Sequence, residues 1–340
     1  MNALMAGGGG PDEGRTTPVS VIATMLNEGE TVRGWLEALS AQTRPPDEVV
    51  VVDAGSTDTT VNQLRTWARQ DPRLRVLVCP GANRSEGRNA AIREARGPII
   101  ASTDAGTVWE RDWLEHLRGP LTEPRIAVSS GFFRPAGHTW FQYVLSTIIT
   151  PRLSDTNPDR FLPSSRSVAF RKEWWEKAGG YPEWLLTGED LVFDLSLKRC
   201  GARFAFAPNA VVRWYPPASL RGFFHQYLQY ARGDGHALLW PWRHAMRYSA
   251  YICGIVLLAG SRRSVVSGLT LIMGAGIYLR KFARRLAAER PWRSDPQAIG
   301  AYVLLPVVVV TGDLAKMIGY PRGRWERWRA AGPSGLPPSR

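Results

Sequence analysis

From Val19 onward the chain alternates short apolar runs (VSVIATML, EVVVVDAG, LRVLVC and PIIASTD) with longer polar stretches of helical character. Apolar runs of strand length without polar alternation suit strands buried on both faces, which predicts parallel strands joined by crossover helices. Asp58 stands where it would cap the helix after the second run, and Gly97 where it would end the helix before the fourth. The first half is therefore predicted to be an α/β domain, a Rossmann-like open, mainly parallel sheet with flanking helices. Beyond IAVSSGFF, near residue 130, the alternation stops. The segment RLSDTNPDRFLPSSR reads as a loop region that covers a substrate. TGEDLVFDLSLKRC reads as a helix stopping at Gly201, and ARFAFAP and AVVRWY as two short strands.

The last third changes character. YSAYICGIVLLAG, VVSGLTLIMGAGIYL and AIGAYVLLPVVVV are apolar runs separated by basic segments, and Pro306 interrupts the third. Each is shorter than the roughly 20 residues of a comfortable membrane span. They predict C-terminal hydrophobic helices held at a membrane, as a hairpin with an interfacial or re-entrant piece. A buried helical core is the alternative. The chain divides on this reading into a flexible leader (1–17), the α/β domain (18–235), a hydrophobic membrane-associated region (236–320) and a basic flexible tail (321–340). The leader has no apolar stretch after a basic start and does not read as a secretory signal.

A net charge of +13 calls for an anionic partner: nucleic acid, an acidic membrane surface or a phosphorylated substrate. The basic residues gather beside apolar segments, as at Arg280, Lys281, Arg284 and Arg285, and no nucleic-acid reading module is recognisable, so no nucleic-acid partner is expected. Cys79, Cys200 and Cys253 are scattered, which excludes a CxxC knuckle and fits a reducing compartment. The five histidines show no ligand spacing.

Ligands of open α/β sheets bind beyond the carboxyl ends of the strands. Polar residues at those ends are Asn27 and Glu28 after the first run, Asp53 after the second, Arg84 and Arg88 after the third, and Asp104 at the end of the fourth. A dinucleotide fold would need GxGxxG after its first strand, whereas LNEGETV has one glycine, and no GxxxxGK[ST] loop occurs. Phosphate charge is then left to arginines such as Arg88 or to a metal ion. Glu189 and Asp190 open the later helix. Adjacent helical positions diverge, so one faces the reaction centre while the other orients or binds. A helix N-terminus favours an ionised carboxylate, able to take a proton from an attacking hydroxyl.

The motifs SVIATMLNEGETV, VVVVDAGSTDTT, GRNAAIREARGPIIASTDAGT with DWLE, GGYPEW and GEDLVFDLSLKRCG span most of Pro18 to about Gly235. Together they resemble the family 2 glycosyltransferases of the GT-A fold. The resemblance implies inverting transfer of a sugar from a nucleotide-diphosphate donor to an acceptor hydroxyl. It implies that Asp53 reads the nucleobase and that Glu28, beside Asn27, lies in the first nucleotide-contacting loop. It puts Arg88 near the diphosphate, makes Asp104 the first Asp of a DxD metal clamp, and makes Asp190, next to Glu189, the catalytic base. Two departures stand out: Gly106 replaces the second Asp, and Trp214 stands where many members carry a metal-binding His. Mg²⁺ or Mn²⁺ would then rely on Asp104, the donor phosphates and water. With the apolar C-terminus, the expectation is a cell-membrane enzyme with a cytoplasmic catalytic domain and a glycan or lipid-linked acceptor, often an envelope polysaccharide. The alternative is a non-catalytic nucleotide- or glycan-binding membrane protein that kept the fold with a degenerate metal site.

Overall fold

The computed structural model describes residues 17–290 and 294–331, so most of the predicted leader and the last nine residues lie outside the described residues. The four apolar runs form β1 (Val19–Met25), β2 (Glu48–Asp53), β3 (Leu74–Val78) and β4 (Ile99–Ser102), all mutually parallel where they pair. Between them lie α1 (Val32–Ser40), α2 (Thr60–Ala68) and α3 (Arg84–Glu94). Every residue of β2 is buried, as expected of a strand covered on both faces. Along β1, Val21 and Ala23 enter one core beneath α1, and Ile22 enters the opposite core with Ala91 and Ile92 of α3.

The second half of the sheet is mixed. It comprises β5 (Thr107–Trp109), β6 (Val128–Pro135), β7 (Val168–Arg171) and β8 (Phe204–Trp214). The eight strands run in the order β3-β2-β1-β4-β7-β6-β8-β5, with β7 antiparallel to both β4 and β6. Helices α4 (Trp113–Arg118), α5 (Trp140–Ile149), α6 (Lys172–Ala178) and α7 (Glu189–Arg199) complete the domain. The two short strands predicted around residue 210 are one strand. Its pairing with β6 jumps from Phe206 to Val211, so the intervening residues bulge and break the apolar pattern.

Two local expectations resolve differently. Asp58 accepts the Thr60 amide at 2.9 Å and so satisfies the start of α2. Gly97 is not a left-handed helix stop: α3 ends at Glu94, and the Gly97 amide donates to Ser20 Oγ at 2.9 Å where a Cβ would crowd that hydroxyl. Close approach selects the glycine there.

The C-terminal third forms α8 (Leu220–His236), α9 (Pro241–Gly260), α10 (Val265–Glu289) and α11 (Asp295–Ala331). Pro306 does not interrupt α11, which continues through both Pro306 and Pro321. The predicted flexible tail is therefore helical as far as Ala331. The reason is tertiary: α11 lies along α8, tied by Arg232 to Glu326 at 2.6 Å and by Arg327 to the His236 carbonyl at 3.0 Å. Such packing compensates the hydrogen bond that a proline removes. A boundary at residue 235 would cut this packed pair. None of the apolar window of α10 is buried and only 39% of that of α11, which counts against a buried helical core.

Candidate active site

Beyond the carboxyl ends of β1 and β4 lies a cleft of about 1220 Å³. It is lined by residues of the loop after β1, of α3, of the corner after β4, of the loop before β7, of the start of α7 and of the middle and C-terminal half of α8. Arg88 forms part of its floor. Asn83 and Glu86 form a reciprocal capping box at the start of α3. A Cβ at Gly87 would overlap the Thr24 side chain, so glycine lets α3 press against β1 and carries Arg88 under the strand ends. Arg88 Nη1 donates to Glu189 and Nη2 to Asp104, each at 2.7 Å. Three residues that the sequence singled out thus form one chain of charge. The Arg88 side chain is only 4% exposed, and its guanidinium is committed to the two carboxylates at the cleft floor.

Glu189 and Asp190 divide as adjacent helical positions should. Gly188, in the left-handed region at φ +80°, turns the chain into α7. Glu189 is buried against Arg88, and Asp190 lines the cleft. Glu28 lines it too, accepting from Thr31 Oγ1 at 2.5 Å. Asn27, in the loop after β1, and Asp53, the last residue of β2, build the adjoining loops. Asp53 is fully buried: Oδ1 accepts the amides of Gly55 and Ser56 at 2.9 Å, and Oδ2 accepts Ser56 Oγ. Asn27, with φ +55°, takes the Thr57 amide on its side-chain oxygen at 2.9 Å. Trp174 and Trp175 pack against the core and are not among the cleft residues.

Sequence reasoning missed Arg166. Its flanks are pinned: Ser165 Oγ meets Tyr181 OH at 3.0 Å, and Ser167 Oγ takes the Trp113 Nε1 proton at 2.8 Å while donating to the Ala210 carbonyl. The side chain reaches Asp104 Oδ2 at 3.5 Å and Tyr230 OH at 3.4 Å, with its guanidinium over the rings of Trp214 and Phe133. Burial alone would push the Asp104 carboxyl up, yet Arg88 and Arg166 hold it below the usual carboxylate range.

Asp104 is the one carboxylate of the DAG corner, and both its oxygens face guanidinium groups. Gly106 offers no donor, and Trp214 presents a ring to Arg166. Among the described residues no group of three or more His, Cys, Asp or Glu side chains is arranged to hold a metal ion. These side chains do not fit a protein-built metal clamp.

Asp194, one turn along α7 from Asp190, is buried, and its Oδ2 has no hydrogen-bond partner among the described residues. Burial, then the nearby Asp190, raise its pKa well above the ordinary value. A raised folded pKa means that the unfolded chain ionises first, so stability falls as pH rises above the unfolded pKa of about 3.9. Asp194→Asn removes that titration. Thermal melts between pH 4 and 8 are expected to show the native chain losing up to about 1.4 kcal/mol per pH unit relative to the variant. Parallel curves would contradict this.

The family model described as Glycosyl transferase family 2 matches residues 20–179. The succinoglycan biosynthesis protein ExoA of Rhizobium meliloti (strain 1021) is 26% identical over 236 residues, covering 65% of this chain and 70% of that protein. The O-antigen chain rhamnosyltransferase WbaN of Salmonella anatum is 24% identical over 221 residues, covering 61% and 68%. Among solved structures, the mannosyltransferase PcManGT from Pyrobaculum calidifontis, in complex with GDP-Man and Mn²⁺, superposes with a TM-score of 0.57 at 22% identity. The match covers 94% of this chain and 90% of that one.

Proposed function

We propose that this nucleotide-sugar-dependent glycosyltransferase, which carries a glycosyl transferase family 2 domain, moves a sugar with inversion onto the hydroxyl of a lipid-linked or envelope glycan. The observation that carries the reading is the convergence of Arg88, Asp104 and Glu189, with Asp190 beside them, on one cleft at the strand ends.

In the proposed mechanism Asp190 accepts the proton of the acceptor hydroxyl as its oxygen attacks the anomeric carbon. The bond from that carbon to the donor phosphate oxygen breaks on the opposite face, leaving its electron pair on the nucleoside diphosphate. Glu189 and Arg88 fix the start of α7 and the Asp104 corner, and so hold Asp190 and the donor in register. Asn27 and Asp53 act through the loops they build, which with Glu28 shape the nucleotide end of the cleft. The Mn²⁺ of the solved neighbour suggests a divalent ion, Mg²⁺ or Mn²⁺, travelling with the donor diphosphate, where it would neutralise charge. The side chains here build no clamp for it, since both Asp104 oxygens face arginines, so the steps above are assigned to protein groups.

The acceptor reading rests on the names of the relatives and on the apolar helices. Leu269, Ile272 and Ile277 of α10 and Ile299 and Val303 of α11 are exposed, and basic residues flank the band. Such a surface suits a bilayer with anionic headgroups. The proposal places the catalytic domain on the cytoplasmic side of the cell membrane. Tyr230 and Asp234 of α8 line the cleft while α8 packs along α11, so an acceptor at the membrane would reach Asp190 directly. The product's anomeric configuration, inverted relative to the donor, is the test of this reading.

A further inference from the structure

We propose that Arg166 is the cation that receives the leaving diphosphate, with Asp104 as its counter-ion rather than a metal ligand. This rests on the nucleotide-sugar reading of the cleft and assigns a residue that reading does not require.

Three observations converge on Arg166. First, of the two positions that depart from the metal-binding pattern, Trp214 holds its ring centroid 5.2 Å from the guanidinium carbon, and Gly106 precedes Thr107, which pairs with Trp214 across β5 and β8. A ring that faces a guanidinium stabilises a cation where an imidazole would have bound an ion. Second, the side chain is held in place before any ligand arrives. Ser165 and Ser167 anchor the loop on either side, Tyr230 bonds a terminal nitrogen, and Asp104 lies 3.5 Å from Nε. Third, both arginines line the cleft, but Arg166 is 20% exposed at its side chain, whereas Arg88 is 4% exposed and both its terminal nitrogens are taken by Glu189 and Asp104. Arg88 already neutralises one carboxylate charge of the Asp104 and Glu189 pair, so Arg166 and the exposed Arg84 are the cleft cations that face the donor.

In the transfer step the acceptor oxygen bonds to the anomeric carbon, its proton passes to Asp190, and the phosphate oxygen departs with the bonding pair. The diphosphate gains one negative charge at that moment. A guanidinium placed there in advance meets the charge with fixed donors.

The test is nucleotide binding by the full chain in detergent, measured calorimetrically with UDP, GDP and dTDP, first in EDTA and then with Mn²⁺. The native chain is expected to bind one of them with affinity changing less than about threefold between the two buffers. Arg166→Gln should weaken that binding in EDTA by about 10- to 100-fold, with Arg166→Lys between the two and melting temperatures confirming folded variants. Gly106→Asp supplies a second carboxylate where a Cβ meets no neighbour, and should make binding Mn²⁺-responsive. Binding by the native chain only with Mn²⁺, or native-like affinity of Arg166→Gln in EDTA, would overturn the assignment. Binding of no nucleotide in either buffer would remove the donor reading itself, and this inference with it.

Discussion

Asp190→Asn is expected to lower the transfer rate by about 10² to 10⁴, with donor binding unchanged. Asp190 lines the cleft at the first turn of α7, and the amide keeps its size while losing the ability to take a proton. The loss should fall on kcat, because the proton moves only as the acceptor attacks. Glu189→Gln separates the two acids. Glu189 is buried and its Oε1 meets Arg88 at 2.7 Å, so its loss should disturb the fold of the site as well as the rate. A near-native kcat for Asp190→Asn, with donor hydrolysis subtracted, would remove Asp190 from the base role.

The second large effect concerns Arg88. Arg88→Met leaves Glu189 buried without its partner and frees Asp104 from the cation that orients it. Removing one member of a buried ion pair costs about 3–5 kcal/mol, because the remaining charge keeps its desolvation penalty. Chemical denaturation should show that loss. The double variant Arg88→Met with Glu189→Gln should recover part of the stability, since the stranded charge is gone, while the lost transfer activity stays lost. If Arg88→Met melts like the native chain, the bridge is not a structural element of the site.

The parallel half of the sheet was legible because its strands are uninterrupted apolar runs, and the strand-end residues followed from the topology. Arg88, Asp104 and Glu189 could therefore be named before their contact was visible. Their division of labour was not legible. The resemblance implied Arg88 near the diphosphate, and the close approach at Gly87 sets it at the cleft floor against Asp104 and Glu189. Asp53 was read as an acid at a strand end, and its oxygens are taken by the loop that follows it. Arg166 escaped notice because its partners Asp104, Trp214 and Tyr230 come from distant segments, and a loop arginine has no local signature. The same holds for α11. Pro306 read as a break, yet α11 runs through it because it packs along the partner helix α8.

The central claim is inverting sugar transfer from a nucleotide-diphosphate donor at this cleft. The full chain, incubated with UDP-, GDP- and dTDP-sugars and a lipid extract as acceptor source, should release the nucleoside diphosphate from one donor. NMR of the product should then show the anomeric configuration opposite to that of the donor. A product that retains the donor's configuration, or no turnover of any donor that binds, would contradict the account.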